Sequence, residues 1–372
     1  MNKIKNALIS LSDKKDLKIL LSVLDKFKIN IISSGGTYKA IKKLRYNCTE
    51  VSEFTRSPEI LGGRVKTLHP KIHGGILNKR KDKKHQQDVK NNKIANIDLV
   101  IVNFYPFERT IETTSNKKKI IEKIDIGGPA MVRAAAKNYN DVAVITSVSQ
   151  YPDLIQQLKN NNGSTSLEFR KELSHNAFIE TAYYDSVIAD HFNKDSKKKF
   201  QDKKNIHFRL IEKLRYGENP HQSSAIYSRN NSLSLIQLNG KQLSYNNYND
   251  IFAALTISKS LPKNTGLAIV KHANPCGVSI LKNNVECYNS ALVCDPISAF
   301  GGVVSCNFKI RKKLAVELSK LFLEVIIGNN FDADALKVLK KKRNLRLIDA
   351  SNFYPNEILK FTSASKNILI QS

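Results

Sequence analysis

The stretch LGGRVKTLHPKIHGG, residues 61–75, combines residue types that could hold an anion and move protons. It shows no helical or strand periodicity, and a donor-rich segment of this kind is typical of a loop that binds a ligand. Arg64 and Lys66 stand on alternate residues, so they would project from the same side of an extended segment. Arg offers a planar fork and Lys a point charge for a phosphate or carboxylate. An exposed basic loop is the alternative, but the glycine pair at each end and Thr67 favour an anion site.

Two hydroxyl-rich turns add a candidate phosphate site. An apolar run at 7–11 ends in SDK, helical spacing follows over 16–27, and a second apolar run at 29–32 ends in SSGGT. This order predicts a βαβ unit, whose parallel strands end side by side. The second turn opens a helix predicted over 38–44, whose free N–H groups favour a phosphate. Ser and Thr beside Gly-Gly also form ordinary helix caps, so the pair of turns carries more weight than either alone.

Tyr105 and Asp125 follow later elements of the same kind. A continuous apolar run at 97–102 predicts a buried strand, and the NFYPF that follows stands where open α/β sheets place ligand groups. Tyr105 could act in chemistry or be a core aromatic residue of the turn. Asp125 precedes a helix that has Pro129 in its first turn, where the helix dipole favours a charged carboxylate. Simple capping of that helix is the alternative role for Asp125.

A second group of candidate residues lies downstream. An apolar strand predicted over 267–270 runs into KHANPCG, which we interpret as a polar turn. Lys271 beside His272 at a strand end is a plausible proton-transfer pair. The Pro-Cys resembles part of the zinc-deaminase signature, but Asn274 stands where that signature has Glu, and no second Cys follows. We therefore predict no zinc site.

Composition limits the class of protein. With 372 residues and 41% apolar residues, the chain is long enough for two or three globular domains. The net charge of +27 could indicate nucleic acid, but Lys is spread along the whole chain and no RNA-binding motif, zinc finger or heptad repeat is present, so an anionic small molecule is favoured. Five cysteines without a CxxC pair suggest reduced thiols in the cytosol. The N-terminus predicts a first strand rather than a signal peptide, and no run reaches membrane-spanning length.

Several of these motifs together resemble a known family. SDKKDL, IISSGGT, GGRVKTLHPKIHGG, NFYPF and IDIGGPAMVRAAAKN are similar, in order and spacing, to the cyclohydrolase domain of the bifunctional purine-biosynthesis enzymes. These enzymes carry phosphoribosylaminoimidazolecarboxamide formyltransferase and inosine monophosphate (IMP) cyclohydrolase. LRYGENPHQ, KHANPCG, DPISAFGG and EVII resemble the same family's formyltransferase domain.

The resemblance implies an α/β chain with two domains. Residues 1–195 would form a methylglyoxal-synthase-like cyclohydrolase domain, residues 196–206 a charge-rich linker, and residues 207–372 an incomplete, zinc-free, cytidine-deaminase-like formyltransferase domain. FTSASKNILIQS resembles a stretch well inside the family's second domain. On this basis we expect ring closure but little or no formyl transfer from this chain. A cytoplasmic homodimer is also implied.

The resemblance further assigns roles to residues. A formyl group would pass from 10-formyltetrahydrofolate to 5-aminoimidazole-4-carboxamide ribonucleotide, and the carboxamide nitrogen would then close the purine ring, which needs a proton acceptor and oxyanion stabilisation. Asp125 would deprotonate the carboxamide, and three residues would act on the oxygen side: Lys66, Tyr105 and Lys137. Lys271 and His272 would act in formyl transfer. The implied substrate-binding residues are Ser12, Lys14, Ser34, Gly36, Thr37, Arg64, Thr67, Asn103, Gly127, Gly128, Arg215, Tyr216 and Gly301. No metal is required for ring closure.

Two alternatives belong to other classes. A basic nucleic-acid-binding protein would account for the charge. A lyase of the methylglyoxal-synthase type would account for the first domain, but it has no place for the long second domain or for KHANPCG.

Overall fold

The computed structural model describes residues 2–198, 200–229, 232–355 and 360–371. The chain divides into two compact units, Met1–His207 and Phe208–Ser372. In the part of the chain that is described, no helix is both long and apolar enough to cross a lipid bilayer.

The N-terminal unit is built on a parallel sheet. Its strands are β1 (Asn2–Lys3), β2 (Asn6–Leu11), β3 (Asn30–Ser33), β4 (Thr49–Glu50), β5 (Leu99–Asn103), β6 (Ala143–Ile145) and β7 (Ser164–Thr165). Five of them pair in the order β4-β3-β2-β5-β6, all parallel, while β1 and β7 form a separate antiparallel pair. Leu99–Val102 is buried throughout, as expected where helices cover both faces of a sheet. The predicted βαβ unit is confirmed, since β2 and β3 are parallel neighbours.

Ten α-helices surround this sheet within the described residues. They are α1 (Leu17–Lys26), α2 (Gly35–Lys43), α3 (Val51–Thr55), α4 (Pro70–Leu77), α5 (Lys83–Asn91), α6 (Phe107–Thr113), α7 (Lys117–Ile121), α8 (Gly127–Lys137), α9 (Tyr151–Asn160) and α10 (Leu167–Asn193). Helix α8 packs against β5 and β6, and the long α10 packs against α8. This packing brings the middle of α10 close to the start of α8.

The segment 61–75 is not the continuous loop that its composition predicts. Leu61–Gly63 forms a 3-10 turn, and α4 begins at Pro70. His69 caps that helix through Nδ1, which accepts the N–H of Lys71 at 3.1 Å. Proline is tolerated at the first helical position because no partner is needed for its missing N–H. The buried pair Ile72 and Ile76 supplies the helical spacing that the glycines obscure in the sequence.

The C-terminal unit contains a mixed sheet. Its strands are β8 (Arg209–Leu214), β9 (Ser224–Ser228), β10 (Ile236–Asn239), β11 (Gly266–Lys271), β12 (Asn274–Ile280), β13 (Val303–Cys306), β14 (Val325–Gly328), β15 (Arg346–Asp349), β16 (Lys360–Ala364) and β17 (Asn367–Gln371). Six pair in the order β10-β15-β14-β13-β11-β12, with β13, β14 and β15 parallel, and β8–β9 and β16–β17 form separate hairpins.

Helices cover both faces of that six-stranded sheet. They are α11 (Tyr245–Ser260), α12 (Asn284–Leu292), α13 (Lys312–Lys320) and α14 (Ala333–Leu339). Strand residues alternate between the two faces: Leu267 and Ile269 pack with α12 to α14, and Ala268 and Val270 pack with α11.

The interpretation of KHANPCG as a turn is only partly correct. The turn consists of His272 and Ala273, and Asn274–Ile280 is a strand that pairs antiparallel with β11. Both turn residues have positive φ, 53° and 58°, which is the geometry of a two-residue hairpin turn. Pro275 is compatible with a strand because β12 lies at the edge of the sheet, where an N–H is not required.

Candidate functional site

The loop after β2 is held against the end of β5 by Asn103. The amide oxygen of Asn103 accepts the N–H groups of Ser12 and Asp13, at 2.6 and 2.9 Å, and its amide nitrogen donates to the carbonyl of Asp13 at 2.9 Å. Lys14 donates to the carbonyl of Leu11 at 3.1 Å. Asn103 therefore shapes this loop in addition to any contact with a ligand.

Thr37 joins the second hydroxyl-rich turn to the first. Its hydroxyl accepts the N–H of Leu11 at 2.9 Å and donates to the carbonyl of Leu11 at 3.0 Å. The side chain is buried, and its single proton is used in this contact. The proton is therefore not free to contact a substrate in this structure. Instead, Thr37 holds the turn in place through Leu11.

Space for a ligand remains beside the start of α2. A Cβ built on Gly36 would meet nothing within 4 Å. Ser34 precedes the helix and makes no side-chain capping bond to it. Together they leave an open helix N-terminus, which is the arrangement that favours a phosphate.

Lys66 lies next to this turn and is paired with a carboxylate. Its Nζ is 2.8 Å from Oε2 of Glu59, and the side chain of Lys66 is only 26% exposed. The same Nζ would be 3.4 Å from a Cβ on Gly35, the first residue of α2. Ser34, Glu59 and Lys66 line one small cavity of about 120 Å³.

Arg64 and Lys66 form ion pairs with different carboxylates. The guanidinium of Arg64 forms an ion pair with Glu122, and both side chains are mostly exposed. The backbone of Arg64 is helical rather than extended, with φ −63° and ψ −23°. The expectation that the two cations project in parallel from an extended segment is therefore wrong.

Asp125 is held by backbone donors at the start of α8. Its Oδ1 accepts the N–H of Gly128 at 2.8 Å, and the backbone N–H of Tyr105 also lowers the pKa of its carboxyl. A Cβ on Gly128 would overlap the carboxylate, so the glycine is needed for this close approach. Burial raises the pKa of Asp125, and the two N–H groups oppose that rise.

Tyr105 has its backbone beside Asp125 and its side chain open to solvent. The Tyr105 side chain is 47% exposed, so it is not the core aromatic residue of the alternative interpretation. The ammonium group of Lys123 lies 5.6 Å from the centre of its ring, within the range of a cation–π contact. The Tyr105 ring and the ammonium group of Lys123 thus lie together beside the turn that carries Asp125.

Thr67 and Gly127 connect the 61–69 segment to α8. A Cβ on Gly127 would lie 2.5 Å from the hydroxyl of Thr67, which is buried. Only glycine allows the helix to start this close to the threonine. The contact brings the segment that carries Lys66 to the helix that Asp125 precedes.

Lys137 is not part of this cluster within one chain. It ends α8, ten residues after Gly127, which corresponds to about 15 Å along the helix. Because α8 runs back along the sheet from Asp125, a lysine side chain at its far end does not reach the carboxylate. The prediction that Lys137 joins Lys66, Tyr105 and Asp125 is therefore not met by a single copy of the chain.

The C-terminal unit has a cavity of about 640 Å³. Four of the sequence-predicted residues line it: Tyr216, Lys271, His272 and Gly301. Lys271 Nζ donates to the carbonyl of Phe300 at 2.8 Å, which holds it beside the turn that contains Gly301. Arg215 does not line the cavity, and its guanidinium lies 5.5 Å from the centre of the Tyr216 ring.

Other charged residues line this cavity without having been predicted. Asp250, on α11, accepts the N–H of Ala273 at 2.7 Å and so holds the hairpin turn that carries His272. Glu324 accepts from Asn247 at 2.8 Å and lies 3.6 Å from Arg346. The signal that could have indicated Glu324 was the EVII motif, which begins with this residue. No local signal marks Asp250.

In the described ranges, no group of three His, Cys, Asp or Glu side chains is arranged to hold a metal ion. His69 and His73, four residues apart, also lie on α4 or at its start. His69 caps α4, and burial lowers the pKa of His73 while the backbone carbonyl of Thr67 opposes that fall.

Comparisons with known proteins match both units. A family model described as an AICARFT/IMPCHase bienzyme matches residues 135–372, and one described as an MGS-like domain matches residues 19–130. The description AICARFT/IMPCHase names both the formyltransferase and the cyclohydrolase. The comparisons therefore lend no support to the expectation that formyl transfer is lost. The match to the MGS-like model agrees with the parallel sheet of the N-terminal unit.

Curated relatives align with nearly the whole chain. The bifunctional purine biosynthesis protein PurH of Persephonella marina is 45% identical over 358 residues, covering 94% of this chain and 69% of the relative. PurH of Agrobacterium fabrum is 43% identical over 378 residues, covering 100% and 70%. PurH of Clostridioides difficile is 42% identical over 350 residues, covering 92% and 68%. The crystal structure of ForH is 30% identical and covers 51% of this chain and 99% of its own, but its TM-score of 0.47 is too low to carry a conclusion.

Proposed function

The chain belongs to the family of AICARFT/IMPCHase bienzymes, and from that premise we propose which of its residues perform each reaction. The family carries out the last two steps of IMP synthesis, formyl transfer to the aminoimidazole carboxamide ribonucleotide and then ring closure. Ring closure is assigned to Lys66, Tyr105 and Asp125, and formyl transfer to Lys271 and His272.

The observation that carries the first assignment is the half-buried carboxylate of Asp125, whose pKa burial raises, beside the backbone of Tyr105. Ring closure moves a proton from the carboxamide nitrogen, joins that nitrogen to the formyl carbon and finally expels the formyl oxygen as water. A half-buried carboxylate whose pKa is raised by burial is a stronger base than an exposed one, and Asp125 has this property. It accepts the carboxamide proton, while the exposed phenol of Tyr105 and the ammonium group of Lys66 stabilise the developing oxyanion.

The phosphoribosyl part of the nucleotide is assigned to the turns after β2 and β3. The open helix N-terminus at Ser34 and Gly36 suits the phosphate, with Lys14 as a nearby cation and Arg64 as a second cation for the nucleotide. Ser12 and Thr67 offer polar groups, while Asn103, Gly127 and Gly128 shape the surrounding backbone. Arg64 must leave Glu122 to contact the nucleotide directly.

Formyl transfer is assigned to the cavity around the β11–β12 hairpin. The family activity requires a formylated folate, and we propose 10-formyltetrahydrofolate as the donor. His272 accepts the proton of the attacking amine, with Lys271 beside it, while Tyr216, Gly301 and Arg215 hold the nucleotide. The cavity of about 640 Å³ is large enough for a nucleotide-sized ligand.

The proposed setting is a cytoplasmic homodimer. Lys137 would need a second copy of the chain to act in ring closure, because it lies at the far end of α8 from Asp125. Subunit mixing tests this: when Lys137→Ala and Asp125→Asn chains are mixed, about a quarter of the cyclohydrolase sites should be intact in a randomly reassorted dimer. If ring closure is not restored on mixing, Lys137 does not act across a dimer.

Substitution of Asp125 tests the main assignment. Asp125→Asn in the full chain keeps an acceptor for the Gly128 N–H but loses the base, so ring closure should fall about 10²-fold or more. The matched control is Asp153→Asn, an acidic residue in the first turn of α9. The measurement is the rate of IMP formation from the formamido nucleotide. A near wild-type rate in Asp125→Asn would overturn the assignment.

A further inference from the structure

A buried tyrosine on α10 contacts the turn that carries Asp125. The hydroxyl of Tyr184 accepts the backbone N–H of Asp125 at 2.9 Å and donates to the carbonyl of Lys123 at 3.4 Å. The side chain is only 7% exposed, so it does not touch the nucleotide. One hydroxyl therefore fixes two backbone groups of the turn at 123–125.

The ring of Tyr184 also contacts the residues on either side of Tyr105. Its centre lies 5.0 Å from that of Phe104 and 6.4 Å from that of Phe107. These distances are those of favourable aromatic pairs. Tyr184 is thus packed against the loop of Tyr105 while it is hydrogen-bonded to the turn of Asp125.

The turn and the loop are connected to each other as well. The ammonium group of Lys123, from the turn, lies over the Tyr105 ring, and the backbone N–H of Tyr105 lowers the pKa of Asp125. Each of these contacts depends on how the turn is placed relative to the loop. Tyr184 contacts both segments from the side away from solvent, which is where a single residue can set that placement.

The hydroxyl is suited to a permanent structural bond. Burial raises the pKa of Tyr184 to about 12, so the phenol keeps its proton at neutral pH. It can then donate to one backbone group and accept from another at the same time. Burial without such partners would be costly.

We propose that Tyr184 is a positioning residue for ring closure, which holds the Asp125 turn and the Tyr105 loop in the relative placement that the reaction needs. This inference rests on the proposed role of Asp125. Tyr184 acts through Asp125 and Tyr105 and makes no contact with the substrate. Small displacements of a reacting pair are costly, because catalytic rate depends steeply on orientation.

The test is Tyr184→Phe in the full chain, which keeps the ring and removes only the hydroxyl. We expect kcat for ring closure to fall about tenfold, with KM changed less than about twofold, because the lost interaction orients groups rather than binding the nucleotide. The acid limb of the pH profile should move to higher pH. This shift is expected because looser N–H groups of Gly128 and Tyr105 stabilise the ionised carboxylate of Asp125 less, which raises its pKa.

The matched control is Tyr183→Phe, one residue earlier on α10. Its hydroxyl donates to the carboxylate of Glu108, which lies on α6 and not on the Asp125 turn. This variant should keep the wild-type kcat and pH profile while losing a similar side-chain hydrogen bond. Rates are measured at a temperature where thermal melting shows both variants folded. Equal losses in the two variants, or a fall in Tyr184→Phe without a change of pH profile, would overturn the proposal.

Two further variants separate this inference from the proposed function. If Tyr184 acts through Asp125, adding Tyr184→Phe to Asp125→Asn should cause little further loss, because the two changes affect one interaction. A full additional tenfold loss would contradict the inference. If Asp125→Asn is inactive and Tyr184→Phe has wild-type kcat, only the role of Tyr184 is wrong. If Asp125→Asn itself is active, the proposed function fails and the inference fails with it.

Discussion

The carboxylate of Glu59 lies 2.8 Å from the ammonium group of Lys66, at the edge of the small cavity that Ser34 also lines. The Glu59 side chain is 48% exposed, so this is a partly solvated ion pair. An anionic substrate must compete with that carboxylate for the lysine. Glu59 therefore weakens the attraction of Lys66 for an anion while it limits the positions the side chain can take.

Glu59→Gln should separate these two effects. Without the opposing charge, Lys66 attracts the nucleotide more strongly, and KM should fall by a factor of about two to five, the scale of a partly exposed ion pair. The less restrained lysine should lower kcat. Glu53→Gln, an exposed carboxylate on α3, removes the same charge without touching Lys66 and is the control. The measurement is steady-state ring closure at low and high salt, and an unchanged KM in Glu59→Gln would show that the ion pair does not compete with substrate.

Two glycine substitutions should have opposite kinetic signatures. A Cβ at Gly128 overlaps the Asp125 carboxylate, so Gly128→Ala should displace the base and lower kcat about tenfold or more. A Cβ at Gly36 meets nothing within 4 Å, so Gly36→Ala should leave the fold intact. It should nevertheless raise KM, because the methyl group would occupy the space proposed for the phosphate. If Gly36→Ala leaves KM unchanged, the phosphate lies elsewhere.

Asp125 should make stability and activity respond to pH in opposite directions. Because burial raises its pKa above the ordinary value of 3.8, the folded chain holds the proton more tightly than the unfolded chain does. The resulting stabilisation is complete below pH 3.8 and is lost as pH rises through the raised pKa. The difference in free energy of unfolding, Asp125→Asn minus wild type, should therefore increase from acidic to neutral pH. Chemical denaturation across that range checks this, and a difference that shrinks as pH rises would contradict it.

Ala273 should be replaceable by glycine with a gain in stability. Its φ of 58° is costly for a residue with a Cβ, and glycine removes that cost, so Ala273→Gly should stabilise the C-terminal unit by about 1 kcal/mol. Ala335→Gly, a buried alanine inside α14, is the control and should instead be destabilising. Thermal or denaturant unfolding of the full chain provides the measurement. A destabilised Ala273→Gly would mean that the Cβ of Ala273 makes contacts worth more than the strain.

Local sequence patterns were enough to predict the central strands and the parallel pairing of β2 with β3. The apolar runs at 7–11, 29–32 and 97–102 coincide closely with β2, β3 and β5, because periodicity and burial are properties of short segments. Each run is followed by polar residues, and parallel neighbours place those residues at one edge. Ser12 and Asn103, which the family resemblance assigns to a common site, are hydrogen-bonded in the structure. The motif set that indicates the family is likewise contained in short segments.

Only the tertiary structure decided which side chains meet across long separations. Tyr184 contacts Asp125 from 59 residues away, and nothing in the sequence around either residue indicates the bond. The separation of Lys137 from Asp125 follows from the length and direction of α8, which the spacing of catalytic residue types does not reveal. A sequence pattern reports how a segment faces the core. The packing of α10 on α8, the start of α8 against Thr67 and the turn at 123–125 depend on how several elements fit together, so the placement of the catalytic groups was determined at that level.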